Sequence, residues 1–457
     1  MTQKYYIITF GCQMNVSDSE RIAAVLESIK YKPVQKIEPA DLVVVNMCSV
    51  RQSAVDRVFG LNQKLVKLKN HNPQLTTILT GCVLKKDEKK LSRFFDYIIN
   101  IKDIGKLPKI LRNKNEGKKD YLRIKPAHVN KFSAIVPIMT GCNNFCAYCV
   151  VPYTRGKEVS RPAKDIICEI KNLIKRGYKE IWLMGQNVNS YGVQRETDAK
   201  QNAKLMRNKI NFPKLLKMVN NIPGNFWIRF TSSHPKPSTR AKLSAGLVPY
   251  RNKVSGTGDF SWNELINIIA KGEKITPYLN LPVQAGDDKV LKRMNRPYTI
   301  KQYINIIKKV GKKIPDICLS TDIIVGFPGE TKKQFQNSVK LFKEINYDMA
   351  YISEYSPRPK TMSAKMKDDI SIEEKSERKR ILNNILKETA LGKNKRYVNK
   401  VVEVLPMEYK NGLLFGKSWH YKTVKFKGNK NLIGKFVKVK ITNALPWILE
   451  GKIEYRI

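Results

Sequence analysis

Residues 134–150, AIVPIMTGCNNFCAYCV, join an apolar run to three closely spaced cysteines. The run 134–139 predicts a buried strand, and Cys142, Cys146 and Cys149 follow it on one loop. Three thiolates on a tight loop can bind three irons of a 4Fe–4S cluster and leave the fourth iron open to another ligand. A structural zinc ion needs four ligands, usually in paired C-x2-C spacing, and the neighbouring sequence offers no fourth one. The spacing therefore favours an iron–sulfur cluster over zinc.

The chain after this loop predicts a parallel α/β barrel. Further apolar runs are separated by amphipathic helical patterns such as 163–175 and 300–312. These runs lie at 180–184, 226–230, 277–281, 318–325 and 350–353. Strand–helix units in this order predict a complete or partial barrel, whose active site forms where the strands end. The polar stretch 193–211 and the long stretch 234–274 interrupt the pattern, and we expect both to be surface insertions.

The chain before residue 113 predicts a small open α/β domain. Short apolar runs at 5–9, 42–45 and 77–79 indicate buried parallel strands, with helical patterns between them. The spacing of Ser17 and Glu20 is that of a capping box, which predicts a helix start directly before an apolar pattern.

Cys12, Cys48 and Cys82 each follow one of these three runs. Because parallel neighbouring strands end at the same edge of a sheet, three distant cysteines can converge there and form a second three-cysteine cluster site. The alternative is three unrelated buried thiols, since cysteine is often buried. Cys168 and Cys318 lie within apolar patterns and are expected to be core residues without a metal.

Charge is the strongest compositional signal of the 457-residue chain. It has 85 Lys and Arg against 39 Asp and Glu, a formal net charge of +46. This excess favours a polyanionic partner, with nucleic acid first and an anionic membrane surface second, although a lysine-rich proteome would also raise the charge. The sequence predicts no transmembrane helix and no signal peptide, so we expect a reducing cytoplasm and cysteines that bind metal or react as thiols.

The remaining segments are basic. Residues 113–131 are polar and predict a linker, and residues 375–400 predict an exposed basic helix. The tail 401–457 alternates short apolar segments with Gly and Asn, which predicts a small antiparallel β-barrel of about five strands. Trp419, Tyr421 and Phe426 lie among its lysines and favour an RNA-binding platform over a stabilising cap.

An aromatic residue, Tyr148, stands directly before Cys149, and this form of the triplet resembles the signature of the radical S-adenosylmethionine (SAM) enzymes. Over about residues 4–456 the chain is similar to the methylthiotransferases, and most of all to their tRNA branch, which acts on isopentenyladenosine. The motifs that carry the resemblance are FGCQMNVSDSER (10–21), MTGCNNFCAYCVVPYTRGKEVSRP (139–162), LMGQNVNSYG (183–192), FTSSHPK (230–236), LPVQAGDDKVLKRMNRPYT (281–299) and STDIIVGFPGET (320–331).

The resemblance implies an α/β fold in three parts. These are an N-terminal open α/β methylthiotransferase domain (3–113), a partial (β/α)6 radical SAM barrel (128–388) and a C-terminal TRAM β-barrel that binds RNA (393–456). It implies two 4Fe–4S clusters and two roles for SAM, as methyl donor to a sulfur on the N-terminal cluster and as radical source at the other. The implied product is methylthiolated at C2 of an N6-isopentenyladenosine next to the anticodon.

The implied partners are the tRNA anticodon stem-loop and a low-potential electron donor such as flavodoxin or ferredoxin, with a monomer in the cytoplasm and no membrane contact. Superfamily positions suggest SAM contacts from residues that ordinary turn or capping chemistry could equally explain. They are Tyr148, Gln186, Asn187, Ser320, Asp322 and Gly326, with Glu330 close to the last. Arg155 and Arg161 are candidates for contacting RNA phosphate or substrate, or for pairing with carboxylates.

One motif departs from the family. Its usual YSxRPGT stretch has Lys360 where glycine is expected, which predicts an obstacle to a positive φ angle and puts the substrate in question more than the reaction. Sister enzymes act on threonylcarbamoyladenosine in tRNA or on an aspartate of a small-subunit ribosomal protein, and both stay open as alternatives. A non-catalytic RNA-binding protein with structural clusters is the alternative from another class.

Overall fold

The structure is a computed structural model that describes residues 2–50, 52–112, 121–192, 210–236 and 260–454. The chain divides into two compact units. The first comprises Met1–Asn130, Ile135–Val159 and Ser356–Lys365, and the second comprises Lys131–Ala134, Ser160–Tyr355 and Met366–Ile457. Among the described helices, none has the length and apolarity needed to span a bilayer. Residues 113–120 of the predicted linker 113–131 and most of the two predicted insertions lie outside the described residues. The linker prediction is wrong for its next residues, because Tyr121, Leu122 and Ile124 are buried in a core of the first unit.

The first unit is built on a parallel sheet in the order β2-β1-β3-β4-β5. Its strands are β1 (Lys4–Phe10), β2 (Lys32–Pro33), β3 (Leu42–Cys48), β4 (Thr76–Cys82) and β5 (Tyr97–Ile98). Its helices are α1 (Gln13–Ser28), α2 (Gln52–His71), α3 (Lys85–Leu91) and α4 (Leu107–Arg112), with 3-10 turns at Ile101–Lys106 and Tyr121–Arg123. The predicted open α/β domain is thus confirmed. The strands β1, β3 and β4 are each longer than the apolar run that predicts them.

Both faces of this sheet are covered. Every residue of β3 is buried, as expected for a central parallel strand. Leu42 and Val44 pack in one apolar cluster with residues of α1, and Val43 and Val45 pack in another with residues of α2. Because successive strand side chains point to opposite faces, the two clusters are the two cores of a doubly covered sheet.

Helix α1 begins earlier than the sequence predicts. It starts at Gln13, and Cys12 occupies the N-cap position, where its backbone N–H donates to Asn15 Oδ1 at 3.2 Å. The predicted capping box at Ser17 and Glu20 is therefore wrong, and Ser17 Oγ instead accepts a hydrogen bond from Arg21 at 2.7 Å. An amide oxygen caps as well as a carboxylate does, so the asparagine in the first turn takes the role assigned to Glu20.

The chain continues through β6 (Ser133–Pro137), β7 (Met139–Thr140), α5 (Val151–Thr154) and β8 (Val159–Ser160). The second unit then contains α6 (Ala163–Lys175), β9 (Glu180–Met184), a 3-10 turn at Val188–Ser190, α7 (Phe212–Asn220), β10 (Trp227–Phe230), α8 (Trp262–Lys271), β11 (Tyr278–Asn280), α9 (Asp288–Arg293), α10 (Ile300–Lys313), β12 (Cys318–Val325), α11 (Lys332–Ile345) and β13 (Met349–Glu354). A further 3-10 turn spans Ser363–Lys365.

These strands form two three-stranded sheets, ordered β10-β9-β6 and β11-β12-β13. The described pairs are parallel, with Glu180 opposite Trp227 and Ser320 opposite Met349. A parallel bridge joins Ile228 of β10 to Ile275, which lies just before β11. The predicted partial barrel is confirmed.

Helix α12 (Ile372–Lys395) leads to a closed barrel with strand order β14-β15-β16-β18-β17. Its strands are β14 (Val401–Lys410), β15 (Leu413–Ser418), β16 (Thr423–Lys427), β17 (Val437–Ala444) and β18 (Leu449–Ile453), with a 3-10 turn at Lys430–Leu432. The five-stranded barrel confirms the prediction for the tail, except that β16 and β18 pair in parallel. Its interior is apolar and includes Phe426, which is 2% exposed.

The prediction that α12 is an exposed basic helix is wrong for its first turns. Lys375 and Arg378 are buried, and each is paired with a carboxylate. Lys375 Nζ lies 2.6 Å from Asp368, and Arg378 NH1 lies 2.9 Å from Glu330. Composition cannot distinguish a solvated cation from one that a distant acid neutralises.

Candidate functional site

The first cysteine triplet lies on a tight loop in the first unit, directly after β7. Cys142 N donates to Gly156 O at 3.2 Å, and Cys149 N donates to Cys146 O at 3.0 Å. Gly141 has a φ of +79°, and a Cβ there would lie 2.1 Å from the backbone oxygen of Lys157. Only glycine fits this close approach, so the residue before Cys142 fixes how the loop leaves the strand.

The aromatic residue of the triplet, Tyr148, is half-buried on the same loop. Its neighbour Ala147 accepts a hydrogen bond at its carbonyl oxygen from Ser363 N at 2.9 Å. Asn143 Oδ1 accepts another from Glu158 N at 3.2 Å. The loop is therefore braced from two other segments of its own unit.

The second triplet is brought together by the sheet. Cys48 and Cys82 end β3 and β4 and lie directly opposite each other in the parallel register. Cys12 follows β1, the other neighbour of β3, and hydrogen bonds link the Cys48 thiol to both Cys12 and Cys82. The expected convergence of these three residues at one sheet edge is thus present in the structure.

Charges and hydrogen bonds around this triplet favour the thiolate form of Cys12 and Cys82. The hydrogen bond with Cys48 lowers the pKa of Cys12 to about 6, against the opposing effect of burial. The same kind of bond, with the charge of Arg155, lowers the pKa of Cys82. The pKa of Cys48 is raised in turn, because it shares its proton with both neighbours. Thiolates are the form of cysteine that binds metal, so Cys12 and Cys82 are suited to soft-metal ligation.

A buried asparagine pair supports Cys12 and was not anticipated from the sequence. Asn15 Nδ2 donates to Asn46 Oδ1 at 3.1 Å, and Asn46 Nδ2 donates back to the Asn15 carbonyl at 2.8 Å. Asn46 lies on β3, two residues before Cys48, so this pair ties α1 to the strand that carries a second cysteine. Asn15 is visible in the FGCQMN motif, but nothing local in the sequence indicates its partner Asn46, which lies 31 residues away.

Arg155 joins this site from the segment that follows the other triplet. Its Nε lies 3.0 Å from Cys82 Sγ, and its NH2 lies 2.5 Å from Asp18 Oδ2. Arg161 pairs with Glu169 at 2.6 Å. The sequence left two roles open for these arginines, contact with RNA or substrate and pairing with carboxylates. In the structure both arginines pair with carboxylates.

Each donor set consists of three cysteines, which is the number that fits a 4Fe–4S cluster with one iron left open. In the part of the chain that the structure describes, no three Cys, His, Asp or Glu side chains are arranged to hold a single metal ion. In a 4Fe–4S cluster each cysteine binds a different iron, so its thiolates need not converge on one point. None of the eight cysteines, all of which are described, forms a disulfide bond.

The two remaining cysteines, Cys168 and Cys318, differ in exposure. Cys318 is buried on β12, as predicted. Cys168 is exposed on α6, so its predicted place in the core is wrong. The buried positions of α6 are Ala163, Ile166, Ile170 and Leu173, and Cys168 lies between them on the outer side.

In the second unit, polar side chains gather after the ends of the barrel strands. Gln186 and Asn187 follow β9, and their Oε1 and Oδ1 atoms are buried without a hydrogen-bond partner among the described residues. On β12, Ser320 Oγ accepts from Asn280 Nδ2 at 3.1 Å, and Asp322 Oδ2 accepts from the same amide at 3.1 Å. An unsatisfied buried oxygen costs free energy, so this edge of the unit is suited to a polar ligand.

Asn189, Ser233 and His234 belong to the same edge and were not assigned from the sequence. Each has a buried polar side-chain atom for which no partner is found within the described ranges. His234 Nδ1 accepts from Lys236 N at 3.1 Å, which leaves the proton on Nε2. Burial, reinforced by the charges of Arg296 and Lys236, lowers the pKa of His234 well below its ordinary value, so the ring is a neutral donor.

Gly326 and Glu330 are joined by a short hydrogen bond. Gly326 N donates to Glu330 Oε2 at 2.7 Å, and Arg378 donates to the same oxygen at 2.9 Å. Gly326 has a φ of +69°, and its amide proton is already committed to Glu330.

The predicted aromatic platform of the tail is wrong at Phe426, and its other two members, Trp419 and Tyr421, are half-buried. Phe426 lies in the barrel core, and Trp419 packs edge-on against Trp227 with centroids 5.6 Å apart. Tyr421 packs against Trp182 at 5.1 Å. Phe426 is therefore not available for stacking on bases, whereas Trp419 and Tyr421 are half-buried and hold the C-terminal barrel on the rest of its unit through these ring contacts.

Comparison with known families gives three matches. The family described as "Radical SAM superfamily" matches residues 136–342, and "TRAM domain" matches residues 395–453. The family described as "Uncharacterized protein family UPF0004" matches residues 4–101. The radical SAM match implies a 4Fe–4S cluster and SAM as cofactors.

Two solved structures resemble the chain in fold alone. One is the radical SAM methyltransferase TsrM from Kitasatospora setae, bound to cobalamin and a 4Fe–4S cluster. Its TM-score is 0.50 at 12% identity, covering 79% of this chain and 74% of that one. The cobalamin-dependent SAM radical enzyme OxsB gives 0.50 at 11% identity, covering 85% and 56%.

Curated relatives match at much higher identity. The tRNA-2-methylthio-N(6)-dimethylallyladenosine synthase of Carboxydothermus hydrogenoformans is 39% identical, covering 98% of this chain and 99% of that protein. The synthase of Clostridium botulinum strain Langeland is 38% identical, covering 98% and 96%. That of Bacillus mycoides is 37% identical, covering 99% and 86%. The chain therefore belongs to the family of tRNA-2-methylthio-N(6)-dimethylallyladenosine synthases within the radical SAM superfamily.

Proposed function

We propose that this protein methylthiolates C2 of the N6-isopentenyladenosine that lies directly 3′ of the anticodon in tRNA. The observation that carries the proposal is the contact of Cys12, Cys48 and Cys82 at one sheet edge, in a chain that has a separate C-x3-C-x2-C loop. A radical SAM enzyme that only cleaves SAM needs one such triplet. A second triplet gives the enzyme a place to hold the sulfur that is transferred.

Each triplet is proposed to hold one 4Fe–4S cluster. Cys142, Cys146 and Cys149 would bind the cluster that holds SAM, and the other triplet the auxiliary cluster. Three cysteines leave one iron of each cluster without a protein ligand. When bound, the clusters and SAM supply the electron, the radical and the methylthio group. The chain's own residues bind and orient these groups and keep water out, because a C–H bond of adenine is beyond acid–base catalysis.

The SAM contacts are proposed residue by residue. Tyr148 shares the loop of its cluster, and the buried, unsatisfied oxygens of Gln186 and Asn187 are suited to the SAM ammonium group. Ser320 and Asp322 are suited to ribose hydroxyls, because both side chains have oxygen acceptors. The Asn280 amide donates to both and so holds them in place. Gly326 would act through close backbone approach to adenine, because its N–H is held by Glu330.

The tRNA is proposed to bind through its anticodon stem-loop. The net charge of +46 and the match to a TRAM domain support an RNA partner. We propose the domain boundaries 3–113, 128–388 and 393–456 for the N-terminal, radical SAM and TRAM parts. A monomer in the cytoplasm, reduced by flavodoxin or ferredoxin, is the proposed working state.

Mass spectrometry of tRNA nucleosides tests the function. Anaerobically reconstituted protein would be given a low-potential reductant, SAM, and tRNA bearing either isopentenyladenosine or threonylcarbamoyladenosine. We expect 2-methylthio-isopentenyladenosine from the first tRNA and no product from the second. Product on the threonylcarbamoyl tRNA alone would transfer the protein to the sister activity. RNA binding without SAM cleavage would identify a non-catalytic protein. A parallel reaction with the small-subunit ribosomal protein tests the other sister activity, and we expect no product from it.

A further inference from the structure

The Arg155 guanidinium makes a hydrogen bond to one of the clustered thiols. Its Nε lies 3.0 Å from Cys82 Sγ, and both residues are 2% exposed. Because water cannot compete at this depth, a charged donor acts strongly on the sulfur. Both residues lie within the first unit.

Two further side chains hold the guanidinium in this orientation. Asp18 Oδ2 lies 2.5 Å from Arg155 NH2, and its other oxygen lies 3.5 Å from NH1. The Tyr121 hydroxyl donates a short hydrogen bond to the same carboxylate. Asp18 is fully buried, so the acid neutralises the arginine and fixes its plane, which leaves Nε directed at the sulfur.

The backbone of Arg155 is fixed as well. Its N–H donates to Val151 O at 2.8 Å, which ends the short helix α5 that follows the Cys142–Cys149 loop. The segment carrying one cysteine triplet therefore supplies a hydrogen-bond donor to the other triplet.

We propose that Arg155 is a positioning residue that tunes the auxiliary cluster by donating its Nε–H to the Cys82 thiolate. This inference rests on the proposed function, in which Cys82 binds iron. Reduction adds an electron and makes the cluster more negative. A hydrogen bond to a ligand sulfur stabilises that added charge, so Arg155 raises the reduction potential of the auxiliary cluster.

The test isolates one cluster. In a background carrying Cys142→Ala, Cys146→Ala and Cys149→Ala, only the auxiliary site can assemble a cluster. The protein would be reconstituted anaerobically, its iron and sulfide counted and its cluster type read by Mössbauer spectroscopy. An EPR-monitored redox titration then gives the midpoint potential.

Three variants are compared in that background. Arg155→Gln with Asp18→Asn removes the donor without leaving a buried carboxylate unpaired, and we expect its midpoint at a more negative potential. Arg155→Lys keeps a positive charge but loses the planar Nε–H, and we expect a smaller shift in the same direction. Arg57→Gln removes an exposed arginine of the same unit and should leave the potential unchanged.

The outcomes separate the two proposals. If the background protein binds no cluster, the proposed auxiliary site is wrong. If it binds one and the Arg155→Gln, Asp18→Asn variant has the same potential, the role of Arg155 is wrong. A lysine variant with the parent potential would assign the effect to charge alone and contradict the hydrogen bond. Loss of the cluster from the double variant only would show a role in retention and contradict tuning.

Discussion

Arg229 Nε lies 2.6 Å from Glu180 Oε1, and neither side chain reaches solvent. The guanidinium also donates to the backbone oxygens of Ser418 at 2.8 Å and Trp419 at 3.1 Å, which belong to the C-terminal barrel. The other carboxylate oxygen accepts from Trp182 Nε1 at 2.9 Å. One ion pair between the neighbouring strands β9 and β10 therefore connects the partial barrel to the C-terminal barrel within the second unit.

Glu180→Gln should destabilise the protein by about 3–5 kcal/mol, because it leaves the Arg229 cation buried without its counter-ion. The free energy of unfolding, from urea denaturation under anaerobic conditions, measures this. Glu377→Gln is the matched control, since it breaks an exposed pair with Arg380 and should leave stability unchanged. Equal effects of the two substitutions would show that the buried pair is not a structural connection.

Lys360 adopts the conformation that its sequence position argues against. Its φ is +69°, so the loop keeps the backbone shape that glycine would give, and Lys360 bears the cost of the positive φ that the sequence predicts to be unfavourable. A left-handed backbone costs a non-glycine residue roughly 1–2 kcal/mol, part of which the greater flexibility of unfolded glycine offsets.

Lys360→Gly should therefore raise the free energy of unfolding by about 0.5–1 kcal/mol and leave the methylthio product unchanged. Thermal or urea unfolding measures the first, and nucleoside analysis the second. Lys360→Ala keeps the backbone strain and should bring no gain. A glycine variant that is no more stable than the alanine variant would contradict the assignment of strain.

His234 should make stability depend on pH. Its pKa is lowered in the folded protein, so the folded ring stays neutral while the unfolded ring binds a proton below about pH 6.5. Unfolding below that pH therefore takes up a proton. The contribution of the neutral ring to the free energy of unfolding is present at neutral pH and is lost as the pH falls below the unfolded pKa, by at most about 1.4 kcal/mol per pH unit.

His234→Gln removes that contribution. The measurement is the difference in unfolding free energy between neutral pH and a mildly acidic pH, for parent and variant. The parent should lose more stability on acidification than the variant. The same loss in both proteins would mean that another group causes the pH dependence.

The outer face of the C-terminal barrel carries exposed lysines, which we expect to contact RNA phosphates. Lys440 lies directly opposite Lys452 in the β17–β18 register, and both are exposed, as is Lys438. Like charges opposite each other weaken a sheet, so their removal should not unfold the barrel. Deleting the whole barrel would instead uncover Trp227 and Arg229, which makes point substitution the cleaner test.

Replacing Lys438, Lys440 and Lys452 by Ala should weaken tRNA binding and its salt dependence. Each phosphate that the variant no longer neutralises lowers the magnitude of the log–log slope by about 0.7–0.9. Binding titrations at several salt concentrations measure the slope. The control replaces the exposed Lys308, Lys309 and Lys312 on α10. If both triple variants lower the slope equally, the effect is one of total charge and not of this face.

The sequence predicts the strands well where an apolar run is buried on both sides. Glu180–Met184 and Cys318–Val325 have the predicted bounds. The meeting of Cys12, Cys48 and Cys82 also follows from the sequence, because the order of parallel strands decides which strand ends are neighbours.

The sequence misses contacts between residues that are distant along the chain. Arg155 and Cys82 are separated by 73 positions, and no local pattern announces a guanidinium beside a thiol. Alternation around Trp419 and Tyr421 likewise predicts which side chains leave the barrel but not what covers them. These two rings pack on the neighbouring strands of their own unit, and Phe426 lies in the barrel core, so the predicted platform is wrong at Phe426.

The most direct test of the central claim compares Cys48→Ala with Cys146→Ala on isopentenyladenosine-containing tRNA. Mass spectrometry would quantify 5′-deoxyadenosine and 2-methylthio-isopentenyladenosine in the same reaction. Cys48→Ala should still form deoxyadenosine but no methylthio product, since only the proposed sulfur-carrying site is damaged. Cys146→Ala should form neither. Methylthio product at the parent level from Cys48→Ala would contradict the claim that the three converging cysteines hold the transferred sulfur.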